Sequence, residues 1–148
     1  MGNSYTSLVY HIVFGTKHRL PQITPDLAPK LHAYMAGIIK NLGGKPIIIG
    51  GTQDHVHILA VLGQSRAVAA VVRDVKANSS RWVHRQSPDL AEFAWQSGGG
   101  SFTVGLRGIP GARSYIERQE AHHREVSFRD ELIEFLKMHD IAYDDRYV

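Results

Sequence analysis

His55-Val56-His57 sets two imidazoles two residues apart. On a β-strand successive side chains alternate between faces, so His55 and His57 point one way while Val56 and Ile58 point the other. A rise of ~3.3 Å per residue puts their Cα atoms ~7 Å apart, within reach of one metal ion. The same spacing also describes two solvent-facing histidines on an edge strand. Tyr115 and Gln119 are four residues apart in a segment of helical character, hence one turn apart on one face. A phenol hydroxyl beside a carbonyl-bearing amide can present a nucleophile next to a third metal ligand. A tyrosine on an amphipathic helix equally well packs into a core. His122 and His123 follow; they are further ligand candidates, or histidines of the kind a helix C-terminus favours electrostatically.

Composition narrows the chemistry. The chain has 148 residues, nine of them histidine and none cysteine. Disulfides, thiolate nucleophiles and cysteine zinc sites are therefore excluded. The length predicts one domain over 1–148, and 43% hydrophobic with 21% charged residues is a globular balance. No apolar run reaches the roughly 18 residues that cross a bilayer. The opening residues, Met1-Gly2-Asn3-Ser4-Tyr5, lack the basic-then-apolar pattern of a secretory leader, so a cytoplasmic protein is expected. Seventeen basic against 14 acidic residues give a net charge of +3, unevenly spread. Segment 65–85 holds Arg66, Arg73, Lys76, Arg81 and Arg85 against the single acid Asp74, whereas 130–148 is acidic. A basic middle fits a polyanion-binding face, and ordinary surface charge fits it too.

Certain elements must position these residues. Segment 7–16 is β-branched and aromatic, ending at glycine, and predicts a central strand. Apolar residues recur at helical spacing over 26–42 and stop at Gly43-Gly44, with Pro29 near the helix start. Segments 45–51 and 54–62 read as a hairpin. Ser65 can cap a helix reaching about residue 85. Phe93 and Trp95 punctuate an irregular stretch, and 99–106 reads as a fourth strand. A turn at 108–111 opens a helix through His122 or His123. Ser127-Phe128-Arg129-Asp130 caps a last helix with Phe128, Leu132, Ile133, Phe135 and Leu136 inward. The helices over 111–139 carry the tyrosine, and 140–148 is a tail. The order β-α-β-β-α-β is the ferredoxin-like split βαβ pattern. It predicts an α+β fold: an antiparallel sheet with helices on one face and the other face free, plus two C-terminal helices.

The chain resembles the HUH-type single-tyrosine transposases of small bacterial insertion sequences and their repeat-associated relatives. The likeness runs along almost the whole sequence. It rests on Tyr5-Thr6-Ser7-Leu8-Val9-Tyr10-His11-Ile12-Val13-Phe14, Asn41-Leu42-Gly43-Gly44 and Asp54-His55-Val56-His57-Ile58-Leu59. It continues through Lys76-Ala77-Asn78-Ser79-Ser80-Arg81-Trp82-Val83, Phe93-Ala94-Trp95-Gln96 and Ser114-Tyr115-Ile116-Glu117-Arg118-Gln119-Glu120-Ala121-His122-His123, ending at Tyr143-Asp144-Asp145-Arg146-Tyr147. One departure stands out. Where relatives often have Gly-Tyr-Gly-Ala-Phe, this chain has Gly98-Gly99-Gly100-Ser101-Phe102.

The resemblance implies that His55, His57 and Gln119 hold a divalent metal, Mg2+ or Mn2+, and that Tyr115 is the nucleophile. It implies cleavage and rejoining of single-stranded DNA at hairpin-marked element ends through a phosphotyrosine; that ester keeps the bond energy, so no nucleotide cofactor is expected, and the lack of a long apolar run predicts no membrane. It further implies a homodimer in which one subunit's histidines face the other subunit's tyrosine. Arg73, Lys76 and Arg81 are candidate phosphate contacts on the basic helix, or simply a solvated face. Trp82 and Trp95 can stack on unpaired bases or pack in the core. A domesticated protein that binds DNA hairpins without transposing them is the alternative, although a pure binder would not need His55, His57, Tyr115 and Gln119 together. Relaxases and replication initiators of the same chemical type are usually longer. A ferredoxin-like RNA-binding module would need paired strand aromatics that are missing here.

Overall fold

The computed structural model describes residues 4–148. Residues 1–3, part of the segment read above as no secretory leader, lie outside the described residues. Strand β1 (Val9–Gly15) is followed by α1 (Leu27–Asn41), β2 (Lys45–Gly51), β3 (His55–Val61), α2 (Val68–His84) and β4 (Gly100–Thr103). Three helices close the fold: α3 (Ile109–Glu117), α4 (Gln119–His122) and α5 (Phe128–Met138). The sheet order is β2-β3-β1-β4, with every neighbouring pair antiparallel. β3 thus lies between β1 and β2, and β1 between β3 and β4, as the split βαβ pattern requires. Among the described residues, no helix is long and apolar enough to cross a membrane.

Period-two alternation splits the sheet chemically. Ile12, Phe14, Val56, Ile58 and Ala60 face α1 and α2 and join Leu31, Met35, Val71 and Val75 in the main core. The opposite face is not free, because the C-terminal helices cover it. Val13 and Phe102 pack on Phe128 and Leu132 of α5, and Val9 and Leu59 pack on Ile116 of α3. This half of the sheet carries too much apolar surface to stay in water, so the fold needs a second layer. β3 is therefore an interior strand buried on both sides, and His55 and His57 are fully buried.

Several local expectations shift by a few residues. Pro29 sits in the first turn of α1, where a missing N–H costs nothing. α2 begins after Ala67 with no side-chain cap, so Ser65 does not cap it. Ser127 does cap α5, accepting from the Asp130 N–H at 3.1 Å. β4 ends at Thr103, because Leu106–Gly108 turns into a short 3-10 segment. Gly99 explains the missing ring in the glycine run: its φ is +126°, and a Cβ there would lie 2.4 Å from the Val13 carbonyl oxygen. No aromatic residue fits that backbone.

Candidate metal and nucleophile site

The strand register lays out the floor of the site. His57 pairs across to Val13 on β1 and to Gly50 on β2. A Cβ on Gly50 would sit 2.8 Å from Ile116 Cγ2, so glycine here lets α3 lie directly over the edge of the sheet. Phe128 of α5 stacks on the His55 ring at 4.5 Å between centroids and an interplanar angle of 15°. α5 and α3 therefore close over the histidine pair from two sides.

The single helix expected through residue 123 is broken. Arg118 adopts φ −103° and ψ 20°, and its N–H bonds to the Tyr115 carbonyl three residues back. The i to i+4 relation survives the break, since Gln119 Nε2 still lies 3.5 Å from the Tyr115 carbonyl oxygen. Beyond it, Gln119 turns inward and is fully buried, with Oε1 3.0 Å from His55 Nε2.

His55, His57, Tyr115 and Gln119 thus meet in one place within a single chain. The Tyr115 ring centroid is 5.8 Å from that of His57. This differs from the implied arrangement, in which the tyrosine arrives from a second subunit; here α3 already lies on the same chain's sheet. Tyr115 is half-buried, and its hydroxyl donates to Glu131 Oε2 and lies 3.2 Å from His122 Nε2.

Glu131, His11 and Asp54 were not singled out above, yet they organise the site. Glu131 is 3% exposed, and its Oε1 accepts from His57 Nε2 at 2.8 Å while its Oε2 accepts from Gln119 Nε2 at 3.3 Å. His11 Nε2 lies 2.7 Å from His57 Nδ1. Asp54 Oδ1 lies 2.8 Å from His55 Nδ1 and accepts from Thr52 Oγ1. The missed signal for Glu131 was its position. Residues 128, 131, 132 and 135 form one helical stripe, and a carboxylate there must enter the core.

Electrostatics follow from this crowding. Burial opposes a charged Glu131, but the close approach of His123, His57 and Tyr115 outweighs it and holds its carboxyl well below the usual range. Burial and the neighbouring Glu131 carboxylate push the Tyr115 phenol well above its ordinary value. Burial, reinforced by His57, drives His11 down to about 3, so its ring is neutral. His57 is likewise lowered, chiefly by burial. Burial disfavours a charged His123, but the adjacent carboxylate more than compensates and raises it.

The donor set fits a divalent cation. His55 Nδ1 lies against the Asp54 carboxylate and the Thr52 hydroxyl, and its Nε2 is turned toward two oxygens, Gln119 Oε1 at 3.0 Å and Glu131 Oε1 at 3.7 Å. A carboxylate on the far nitrogen of a histidine is the usual outer support of a metal ligand. In addition, His123 Nε2 is buried and has no well-directed hydrogen-bond partner among the described residues, although it lies 3.1 Å from Glu131 Oε2.

The candidate DNA contacts lie elsewhere. Arg73, Lys76 and Arg81 are on α2, across the sheet from the histidines. Arg73 is exposed. Lys76 Nζ is taken up by the carbonyls of Gln96 and Gly98, at 2.9 and 2.5 Å, and pins the glycine-rich loop. Arg81 is exposed and bonds Asn78 Oδ1 at 2.6 Å. Trp95 is buried and donates Nε1–H to Ser79 Oγ at 3.0 Å, so it packs. Trp82 stacks on Tyr34 between α1 and α2. A cleft of about 540 Å³ opens beside the site, lined by Ile23, Asp54, His123, Arg124 and Phe128 among others.

Comparison with known proteins finds one family model and solved structures of similar fold. The family model described as "Transposase IS200 like" matches residues 4–119. A candidate transposase from Deinococcus radiodurans R1 superposes with a TM-score of 0.62 at 22% identity, over 80% of this chain and 96% of the other. A REP-associated tyrosine transposase bound to a REP hairpin superposes with a TM-score of 0.63 at 12% identity, over 85% of this chain and 74% of the other. No curated protein matches the chain significantly.

Proposed function

The chain belongs to the IS200-like transposase family, and from that premise we propose that it cleaves and rejoins single-stranded DNA at hairpin-marked ends, with Tyr115 as nucleophile. The observation that carries this reading is the convergence of the Tyr115 hydroxyl, His55, His57 and Gln119 within one chain. His55, His57 and Gln119 would hold Mg2+ or Mn2+. Once bound, such an ion supplies positive charge against the charge developing on a scissile phosphate.

The protein's own residues account for the remaining chemistry. Tyr115 Oη attacks phosphorus, the bond to the 3′ oxygen breaks, and the 5′ side stays on the enzyme as a phosphotyrosine. The phenol proton has two acceptors in place, Glu131 Oε2 and His122 Nε2. A free phenol has a pKa of ~10 and is a weak nucleophile at neutral pH. In the closed arrangement burial and the Glu131 carboxylate raise it further, so removal of its proton is the step these residues must assist. Gln119 Nε2 holds Glu131 in place. A phosphodiester exchanged for a phosphotyrosine keeps its bond energy, so the 3′-OH can reverse the step without a nucleotide cofactor.

Hairpin recognition is proposed for this chain by analogy with the hairpin-bound structure. A homodimer would bring two DNA ends together, and neither copy would need to lend the other its tyrosine. The test uses labelled single-stranded DNA from the flanks of the gene, including any short palindrome, incubated with Mn2+ and run on a denaturing gel. A covalent protein–DNA band is expected. Hairpin binding with no such band under any divalent ion would leave the non-transposing binder as the function.

A further inference from the structure

We propose that His123 and Glu131 are ligands of the same ion as His55 and His57, and that the completed centre prefers Mn2+-like transition ions to Mg2+. The inference rests on the transposase reading only for its expectation that a cation belongs here. Both residues lie beyond the segment that the family model matches, which ends at Gln119, and the resemblance gives neither of them a role.

The geometry points to them directly. One donor atom from each of His55, His57, His123 and Glu131 lies within 4.8 Å of all the others. Both strand histidines are fully buried, and Glu131 and His123 are nearly so, with side chains 2% and 9% exposed. A buried imidazole nitrogen without a directed partner is rare in a finished protein interior. At His123 it points at the one carboxylate in the cluster.

The surrounding elements hold this set rigidly. Phe128 and Leu132 flank Glu131 on α5 and are buried against Val13 and Phe102, which fixes the carboxylate over β3. Gln119 Nε2 steadies Oε2 from the other side. Asp54 and His11 occupy the outward nitrogens of His55 and His57, leaving both Nε2 atoms turned inward. Three imidazoles and one carboxylate suit Mn2+, Co2+ or Zn2+, whereas Mg2+ prefers oxygen ligands and keeps its waters.

The experiment uses the metal-free full chain and its Glu131→Gln and His123→Gln variants. Mn2+ and Mg2+ binding are measured by calorimetry, and the visible absorption of bound Co2+ reports which ligands reach the ion. Expected are tighter Mn2+ than Mg2+ binding by the parent, a loss of Mn2+ affinity of roughly tenfold or more in each variant, and an altered Co2+ band. If Glu131→Gln does not fold, His123→Gln, on the short α4–α5 connection, carries the test alone. An unchanged Co2+ band together with parental Mn2+ affinity overturns the proposal, as does a parent that binds both ions equally. A parent that binds Mn2+ through these donors but forms no DNA adduct supports this inference and removes the transposase reading. Adduct formation by variants that keep the parental Mn2+ affinity does the reverse.

Discussion

The two faces of the sheet are made by the same strands and differ in almost everything else. One presents Ile12, Phe14, Val56 and Ile58 to α1 and α2 and is closed mainly by apolar contact. The other presents His11, His55 and His57 to α3, α4 and α5 and is closed around a knot of imidazoles, an amide, a phenol and a carboxylate. Apolar contact is non-directional and tolerates approximate placement. A buried polar cluster is stable only when each member is satisfied, so its residues depend on one another. The contrast separates what folds this protein from what it does.

The comparison breaks most sharply at the histidines. His57→Ala should eliminate DNA cleavage at metal concentrations that saturate the parent, and His55→Ala should demand far more metal; equal metal curves for parent and variants would detach the pair from the site. On the apolar face, Met35→Ala empties a fully buried position and should cost ~2–5 kcal/mol in denaturant melts. The folded fraction should keep parental Mn2+ affinity, and a matching loss of affinity would show that the two faces are not independent. Trp95→Phe removes one buried hydrogen bond to Ser79. It should cost about 1 kcal/mol of stability and leave DNA binding unaltered; weakened binding in a salt titration would return Trp95 to the list of base-stacking residues. The smallest effect is expected at Arg73→Ala, which should flatten the salt dependence of DNA affinity by about one unit of slope if this exposed guanidinium meets a phosphate.

Much of the apolar face could be read from the sequence, because its signals are local. β-branched and aromatic runs marked the strands, helical spacing marked α1, and Gly43-Gly44 marked a stop, each from residues close together in the chain. The polar face was readable only where its residues are close in sequence: His55 with His57, Tyr115 with Gln119. His11 meets His57 only through a pairing register between β1 and β3 that no local pattern specifies. Glu131 follows a Ser127 cap, where an acidic residue in the first turn normally serves the helix dipole and stays in water. Its place on the inward stripe was the counter-signal. The break at Arg118 was hidden because the residues on both sides of it are compatible with a continuous helix, and only the tertiary pull of His55 and Glu131 on Gln119 distinguishes the two. Lys76 illustrates the converse: a cation in a basic run whose ammonium is occupied by backbone carbonyls.

The most direct test is to map a covalent DNA adduct by mass spectrometry after nuclease and trypsin digestion. The account predicts a nucleotide remnant on the peptide Ser114-Tyr115-Ile116-Glu117-Arg118, attached at Tyr115 and absent from Tyr115→Phe. A remnant on any other residue, or an undiminished adduct in the phenylalanine variant, would contradict it.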